Sequence, residues 1–424
     1  MVSTLKPVAE PSRLAARFRG VRNTTERLVA PLHPEDTVVQ SMPDVSPTKW
    51  HLAHVTWFFE QFVLAHADPG YARYNERYDF LFNSYYYSVG QMHARPRRGM
   101  LTRPTLSEIL DYRRYVDAAV EDLLERGDAG PEIEQRIELG LQHEQQHQEL
   151  LLTDIKHVLA ENPLKPAYDA ELPVPARVNP LPLTFDTGAA GLVEIGHAGT
   201  GFAFDNETPR HEALLAPHRI ANRLVTNAEY REFIDAGGYR ETALWLSDGW
   251  ATVVAEDWRQ PLYWTDELDR EFTLGGLREL DPGAPVSHLS FYEADAFARW
   301  AGARLPTEFE WEARAADETV NDAPSSGNLL ERGYLHPASA AASQYLGDVW
   351  EWTSSPYVAY PGFRPLGGSL GEYNGKFMCN QMTVRGGSAL TAQDHIRTTY
   401  RSFFYPQQRW QMLGLRLAKD GDQA

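Results

Sequence analysis

The chain has 424 residues, which is long for a single hydrophobic core, so length alone predicts two or three domains. Its 40 Lys and Arg against 58 Asp and Glu give a formal net charge of -18, which argues against nucleic acid or an anionic membrane as the main partner. No N-terminal apolar segment and no membrane-length apolar run is found, so neither export nor membrane insertion is indicated. The single cysteine, Cys379, favours a reducing, cytoplasmic location.

Residues 1–165 are predicted to form long helices, because apolar residues recur there at three- and four-residue spacing. Ser46 is the predicted N-cap of the second helix, with Pro47 at its first position. Thr105 is the predicted N-cap of the third helix, which stops at Gly127. Four helices of this length predict a four-helix bundle. The four segments are residues 12–32, 46–66, 105–127 and 131–162.

The fourth helix contains the pentapeptide HEQQH, which matches the H-E-x-x-H pattern of zinc peptidases. His143 and His147 are four residues apart and therefore lie on one helix face, where they can bind one metal ion together. Glu144 stands at the position of the peptidase general base. The extended peptidase pattern nevertheless fails, since Leu150 and Thr153 stand where a glycine and a third histidine are expected.

The two histidines interrupt the buried stripe of an amphipathic helix. Buried polar groups need partners, and a metal ion is the simplest partner for a histidine pair in a bundle core. Gly140 is a poor helix former one turn before His143, and it indicates close approach of another element or of a ligand. A downstream Glu161 or Glu171 stays open as a peptidase-type third ligand. The stripe comprises Ile133, Ile137, Gly140, His143 with Glu144, His147, Leu151, Asp154 and Val158.

The sequence pattern changes after the fourth helix. Residues 166–185 are rich in proline and lack helical period, which predicts an extended linker. Residues 186–424 alternate short β-like stretches with Gly, Pro, Asp and Asn loops, so we predict a loop-rich α+β domain. The clearest β-like stretches are residues 191–196, 210–221 and 383–390, and the two obvious helices are residues 227–238 and 290–303.

Three stretches of this second domain resemble the formylglycine-generating-enzyme (sulfatase-modifying factor) superfamily, which has a C-type-lectin-like fold. They are ARLPTEFEWEARAA at 303–316, GDVWEWTSSPY at 347–357, and VRGGSAL at 384–390 with the closing LGLRLA at 413–418. Formylglycine formation requires reactive cysteines near the C-terminal end, and this chain has only Cys379, which we expect in the core. The fold is therefore expected to serve another function.

The N-terminal half resembles the sulfoxide synthases of ergothioneine biosynthesis, also called hercynine oxygenases or EgtB proteins. The resemblance rests on SPTKWHLAHVTWFFE, NSYYYSVGQMHARPRRGMLTRPT and HEQQHQELLLTDIKH, in this order before a formylglycine-type domain. It implies an N-terminal DinB-like four-helix bundle that encloses a non-haem Fe(II) ion together with the lectin-like domain. The implied reaction uses O2 to join the sulfur of a cysteine-type thiol to an imidazole carbon of hercynine and to oxidise that sulfur to a sulfoxide.

The resemblance implies that His54, His143 and His147 bind the iron. Spacing alone does not choose between His54 and His51, which lie one turn apart, and the motif alignment selects His54. Glu144 is then expected on the helix surface. Three neutral imidazoles leave the charge of Fe(II) uncancelled and leave coordination positions open, unlike a closed structural zinc site.

The same resemblance suggests the other site residues. In NSYYYSVG it places Tyr85 and Tyr86, and less favourably Tyr87, near the iron, where a phenol can donate a proton to the reacting oxygen. Arginine is suited to bidentate capture of a substrate carboxylate, and aromatic faces suit the trimethylammonium group of hercynine. The residues assigned to substrate binding are Arg95, Arg98, Gln146, Phe403 and Phe404.

Four alternative functions stay open. The chain could be a zinc peptidase, a non-catalytic ligand-binding relative, or an ovothiol-type synthase acting on unmethylated histidine. It could also be a selenoneine-forming relative that uses a selenium donor. Within the sulfoxide synthases the thiol donor is cysteine or γ-glutamylcysteine, and the NSYY and RPRRG stretches are more similar to the cysteine-using branch. All these hypotheses predict small-molecule or peptide partners, and none of them predicts nucleic acid or a membrane as a partner.

Overall fold

The computed structural model describes residues 10–127, 129–199, 201–319 and 327–421. The chain divides after Glu161 into two compact units. The first unit is helical and the second combines helices with short strands, so the predicted order of a helical bundle and an α+β domain is confirmed. Within the described ranges, none of the helices combines the length and the apolar character needed to span a membrane.

The first unit is built on four long helices. Helices α1 and α2 each pack against both α5 and α6, which gives the predicted four-helix bundle. A π-helical turn at Glu60–Leu64 extends α2, and two short helices lie between α2 and α5. The helices are α1 Glu10–Val29, α2 Thr48–Phe59, α3 Ala65–Ala67, α4 Tyr78–Phe82, α5 Leu106–Arg126 and α6 Pro131–Glu161.

The predicted caps are right for α5 and wrong for α2. Thr105 accepts a hydrogen bond from the backbone N–H of Glu108 in a capping box, and Gly127 ends α5 with a left-handed φ of 68°. Helix α2 instead begins at Thr48, with Pro47 at the N-cap position and no side-chain cap. Ser46 makes long-range contacts in place of a cap, since its backbone N–H donates to Asp154 Oδ2 at 2.8 Å.

Helices α2 and α6 approach each other closely at Gly140. A Cβ atom at this position would lie 2.7 Å from Cε1 of Phe59, which is closer than real side chains come. The prediction that Gly140 marks close approach of another element is therefore confirmed, and the element is α2. This contact brings the histidine-bearing faces of the two helices together one turn further along α6.

Within the residues that the structure describes, the second unit contains four small sheets. Strands β1, β4 and β11 form an antiparallel sheet in the order β1-β4-β11, and the largest sheet has the order β10-β7-β8-β9, with β10 and β7 parallel. Hairpins β2-β3 and β5-β6 complete the set. The strands are β1 Phe185–Thr187, β2 Gly191–Ile195, β3 His211–Leu215, β4 His218–Leu224, β5 Arg270–Thr273, β6 Gly276–Glu279, β7 Trp350–Pro356, β8 Met382–Arg385, β9 Ser402–Phe404, β10 Leu413–Gly414 and β11 Arg416–Asp420.

Four α-helices of the described part of the chain accompany these sheets, twice the number that the sequence pattern indicates. Helices α7 Asn227–Asp235 and α9 Phe291–Trp300 match the prediction, whereas α8 Ser247–Ala255 and α10 Glu308–Thr319 are additional. Helix α10 lacks a simple apolar stripe because its inward face carries acids. Glu308 accepts hydrogen bonds from Arg401 at 2.8 and 3.0 Å, and both residues are buried.

The predicted linker, residues 166–185, contains no helix and belongs to the second unit. The backbone N–H of Tyr168 donates to Leu274 O at 2.9 Å, and that of Val178 donates to Ser339 Oγ at 2.9 Å. The segment therefore packs along the rest of the second unit, and strand β1 begins at the last residue of the segment.

Candidate metal centre

Three histidines from two helices of the bundle form the candidate metal centre. Helix α2 contributes His54, and α6 contributes His143 and His147 from successive turns. One ring nitrogen of each lies within 4.8 Å of those of the other two. His54 and His143 are buried, while His147 is half-buried. The structure thus brings together the three histidines that the sequence resemblance selected.

The ring of His54 is held from two directions. Its Nδ1 donates to the carbonyl oxygen of Phe82 at 2.6 Å, which leaves Nε2 as the nitrogen with a free lone pair. Nε2 is buried and has no hydrogen-bond partner in the described part of the chain. Trp50 and Trp57 stack on the ring, with centroid distances of 4.6 and 5.7 Å. A buried lone pair without a partner is costly, and a metal ion would satisfy it.

His51 lies one turn before His54 and takes a different place. It is not a member of the three-histidine group. Its Nδ1 is 2.8 Å from Nδ1 of His147, and its Nε2 is 3.0 Å from Oδ2 of Asp154. Spacing in the sequence could not separate the two histidines, whereas the structure distinguishes them by their contacts.

Burial keeps the three imidazoles neutral. Burial lowers the pKa of His143 to about 3. Burial, followed by the neighbouring His143, also lowers the pKa of His54 and of His147 well below the ordinary histidine value. The neutral imidazole is the form that binds a metal ion. The donor set, its burial and the lone pair of His54 therefore fit a divalent metal ion with open coordination positions.

Glu144 lies on the side of α6 that faces helices α1 and α5, and it is fully buried. Its Oε1 accepts hydrogen bonds from Thr25 Oγ1 and Arg113 at 2.6 Å each, and its Oε2 accepts one from Arg22 at 2.7 Å. Burial alone opposes ionisation, but the charges of Arg113 and Arg22 lower the pKa of Glu144 to about 2. The expectation that Glu144 lies on the helix surface is wrong, because two buried arginines required a partner.

Arg98 is buried next to the histidines. Its guanidinium carbon lies 3.3 Å from the ring centroid of Trp50, and the group donates to Ser46 Oγ at 2.9 Å and Ser84 Oγ at 3.0 Å. None of the described carboxylates forms an ion pair with it, and its buried Nε has no hydrogen-bond partner there. Burial, with the nearby charge of Arg95, lowers the pKa of Arg98 well below its usual range.

Arg95 is more exposed to solvent than Arg98. Its side chain is exposed, and its guanidinium donates to the carbonyl oxygen of Asp44. Gln146 is half-buried and directly precedes His147 on α6. The carboxylate-binding role of Arg95 and Arg98, and the substrate-binding role of Gln146, stay predictions.

The three consecutive tyrosines differ in burial. Tyr86 is fully buried and packs against Phe62 and Trp57, with ring centroids 4.8 and 5.8 Å away. Tyr85 is half-buried, and its hydroxyl lies 3.5 Å from that of Tyr86. Tyr87 is 74% exposed. Because Trp57 also stacks on His54, Tyr86 is separated from a candidate ligand by one ring, and the catalytic role of Tyr85 and Tyr86 stays a prediction.

Phe403 and Phe404 lie on strand β9 of the second unit, and both are half-buried. Phe403 stacks on Tyr357 with a centroid distance of 4.0 Å, and Phe377 follows at 5.8 Å, so three rings form one aromatic surface. The substrate-binding role of Phe403 and Phe404 stays a prediction. Cys379, which we expected in the core, is exposed, because it lies in the loop before β8.

The sequence did not predict that His51 contacts His147 or that Asp154 contacts His51 in turn. Asp154 is seven residues after His147 and therefore lies two turns further along the same face of α6. A carboxylate in a buried helical stripe that already holds a histidine pair is the signal that could have identified it.

Comparison with known proteins agrees with this architecture. Residues 182–421 match the sulfatase-modifying factor enzyme 1-like domain, and residues 17–151 match the DinB superfamily. A hercynine oxygenase of Mycolicibacterium thermoresistibile is 32% identical, with 98% of this chain and 97% of that protein covered. One of Mycolicibacterium smegmatis is 33% identical, with 96% and 98% covered.

A more distant relative shares about half of the chain. Ergothioneine biosynthesis protein 1 of Schizosaccharomyces pombe is 29% identical, and the match covers 52% of this chain and 28% of that protein. The two domain matches follow each other in the order that the structure shows, and the mycobacterial matches extend over both units. The chain therefore belongs to the hercynine oxygenase family, with a DinB-superfamily bundle followed by a sulfatase-modifying-factor domain.

Proposed function

We propose that this chain is an Fe(II)-dependent sulfoxide synthase of ergothioneine biosynthesis, acting on hercynine, a cysteine-type thiol and O2. One observation carries the proposal: three neutral histidines, the buried His54 and His143 and the half-buried His147, lie together in a chain that belongs to the hercynine oxygenase family. An all-imidazole set leaves both charge and coordination positions on the metal for substrates.

The proposed reaction balances with one molecule of O2. The thiol R–SH and the imidazole C–H of hercynine each lose a hydrogen as the C–S bond forms, and the sulfur gains one oxygen atom. The second oxygen atom leaves as water with the two hydrogens. The four electrons removed from sulfur and carbon equal the four that O2 accepts. When bound, Fe(II) supplies an open site at which thiolate, imidazole and O2 are activated together.

The residues of the chain position the substrates and hold protons. Arg98 carries a buried positive charge without a carboxylate partner among the described residues, so the carboxylate of an amino-acid substrate would complete its hydrogen bonding. Tyr85 and Tyr86 are the candidate proton donors to the reacting oxygen. Gln146 and Arg95 are further candidates for polar substrate groups, and the aromatic faces of Phe403 and Phe404 suit a quaternary ammonium group.

The contacts of Glu144 argue against the zinc-peptidase alternative. A peptidase base must reach the water on the metal, yet both oxygens of this carboxylate bind Thr25, Arg22 and Arg113 on the far side of the helix. A carboxyl group with a pKa of about 2 is also a weak base. The pentapeptide therefore matches the peptidase pattern by spacing only.

The test is reconstitution of the metal-free, full-length protein with Fe(II) under anaerobic conditions. O2 and hercynine are then added with cysteine, γ-glutamylcysteine or a selenium donor in separate reactions, and the products are identified by mass. We expect a sulfoxide with cysteine. If a product forms only with the selenium donor, the substrate is a selenium compound and not a thiol. Casein cleavage by the zinc-loaded protein, without O2 uptake, would contradict the proposed function.

A further inference from the structure

A hydrogen-bond chain leads from Asp154 through His51 to the candidate ligand His147. The Nε2 atom of His51 is 3.0 Å from Oδ2 of Asp154, and its Nδ1 is 2.8 Å from Nδ1 of His147. His51 is 3% exposed and Asp154 2% exposed, so water does not compete for these contacts. Two rings and a carboxylate therefore form a fixed unit behind the metal centre.

The chemistry of the three groups fixes where the protons lie. A carboxylate only accepts hydrogen bonds, and Oδ2 of Asp154 also accepts one from the backbone N–H of Ser46 at 2.8 Å. The His51 ring therefore donates its Nε2 proton to Asp154. When this is the only ring proton of His51, its Nδ1 is an acceptor, and the proton between the two Nδ1 atoms belongs to His147. The Nε2 atom of His147 is consequently deprotonated and can bind a metal ion.

His54 reaches the same tautomer as His147 through a different partner. Its Nδ1 donates to the carbonyl oxygen of Phe82 at 2.6 Å, so its Nε2 is also the nitrogen with a lone pair. Histidines that bind metal ions generally donate their other ring N–H to a fixed acceptor, which sets the tautomer and the ring orientation. In this chain the acceptor for His147 is another histidine instead of a carbonyl or a carboxylate.

We propose that His51, held by Asp154, is a positioning residue that fixes the Nδ1–H tautomer and the ring orientation of His147. This inference rests on the proposed metal centre, and it assigns a role to a histidine outside the three-histidine group. His51 is not a ligand in this proposal. Its loss should weaken metal binding and change the geometry of the bound metal without removing a coordinating atom.

The test uses the metal-free, full-length chain, titrated anaerobically with Co(II), whose visible absorption reports the number and geometry of its ligands. We expect His51→Leu to weaken Co(II) binding by about 10- to 100-fold and to alter the spectrum. His51→Asn places an amide oxygen where Nδ1 stood, so it should recover much of the affinity. His157→Leu is the control, because it removes a buried histidine of α6 that contacts Ser41 instead, and its Co(II) spectrum should match that of the wild type.

A second measurement observes the wild-type protein itself and uses a variant only to assign the signal. Nitrogen-15 NMR of the histidine rings in the metal-free wild type reports which nitrogen of His147 carries the proton, with His147→Gln providing the assignment. We expect the Nδ1–H tautomer, and the Nε2–H tautomer would overturn the proposal. If the wild type and His51→Leu bind Co(II) equally tightly, the proposed role of His51 is wrong, but the metal centre is not contradicted. Absence of Co(II) binding by the wild type would overturn the metal centre and, with it, this role.

Discussion

Oε1 of Glu144 accepts a hydrogen bond from the guanidinium of Arg113 at 2.6 Å, and neither side chain is exposed to solvent. Glu144 is the second residue of the pentapeptide HEQQH, which matches the zinc-peptidase pattern. Its side chain points towards helix α5, whereas the side chain of its neighbour His143 faces the candidate metal centre. One turn of α6 thus has two different sides, since one carries histidines of the candidate metal centre and the other joins three helices through buried ion pairs.

Glu144→Gln should therefore destabilise the protein without removing the metal centre. The change leaves Arg113 with only Glu26, at 3.5 Å, and Arg22 with only Asp117, at 2.7 Å, as counter-charges. Removing one partner of a buried ion pair costs about 3–5 kcal/mol. Urea unfolding of the metal-free protein measures this loss, and Co(II) titration should still show one bound ion per chain. Glu132→Gln is the control on the same helix, because that carboxylate is 68% exposed and solvent screens its ion pairs with Arg136 and His66. Equal stability of the two variants would contradict this account.

Gly140→Ala should destabilise the bundle although alanine is the better helix former. The gain in helix propensity is about 1 kcal/mol, but the new Cβ would lie 2.7 Å from the ring of Phe59 in a packed core, where crowding costs about 1–3 kcal/mol. Gly20→Ala on α1 is the matched control, because its Cβ would meet no atom within 4 Å. Thermal unfolding should show a lower Tm for the first variant and a higher Tm for the second. A rise in both would contradict the close approach of α2 and α6.

Asp348 should make the second unit less stable as pH rises from 4 to 7. Burial raises the pKa of Asp348 to about 6, even though the side chain of Asn328 donates to it at 2.7 Å. A carboxyl whose folded pKa exceeds its unfolded value stabilises the fold below the unfolded pKa, near 4, and this contribution is lost as pH rises through about 6. The loss amounts to on the order of 3 kcal/mol.

Asp348→Asn isolates this contribution, because asparagine tolerates the left-handed φ of 59° and keeps an acceptor for Asn328. The free energy of unfolding should fall less between pH 4 and pH 7 in the variant than in the wild type. Asp257→Asn is the control, since Asp257 has a similar φ of 51° and a side chain that is 75% exposed. Parallel pH profiles for Asp348→Asn and the wild type would show that the aspartate does not titrate in this range.

Tyr85→Phe and Tyr86→Phe should change the reaction product more than the fold. If either phenol gives a proton to the reacting oxygen, its loss should lower turnover by about 10²–10⁴-fold or shift the products from sulfoxide to thiol sulfinate. Phenylalanine keeps the ring packing of Tyr86 against Phe62 and Trp57. Tyr87→Phe is the control, because that side chain is 74% exposed. Unchanged turnover and product ratio in both test variants would remove the tyrosines from the mechanism.

Patterns within one segment predicted local features well. The histidine pair, the cap at Thr105, the stop at Gly127 and the close approach at Gly140 all follow from spacing or from the properties of one residue type. The exposed position of Cys379 could not be predicted, because one cysteine in a loop has no periodic context.

Features that depend on partners far along the chain were missed. Burial of Glu144 depends on Arg22 and Arg113, which are 122 and 31 residues away. Helix α10 escaped prediction because Glu308 on its buried face is neutralised by Arg401, 93 residues later. A single sequence does not reveal ion pairs between residues far apart in the chain. An acidic residue on a buried helix face is therefore predicted to lie on the surface.

We propose that the three histidines support oxidative joining of a thiol to hercynine. Mass spectrometry of the product that the Fe(II)-reconstituted protein forms from hercynine, cysteine and ¹⁸O2 tests this reaction. We expect a single hercynine–cysteine adduct with one ¹⁸O atom in its sulfoxide. Unchanged hercynine, with cysteine converted to a sulfinate that carries two ¹⁸O atoms or not converted at all, would contradict it.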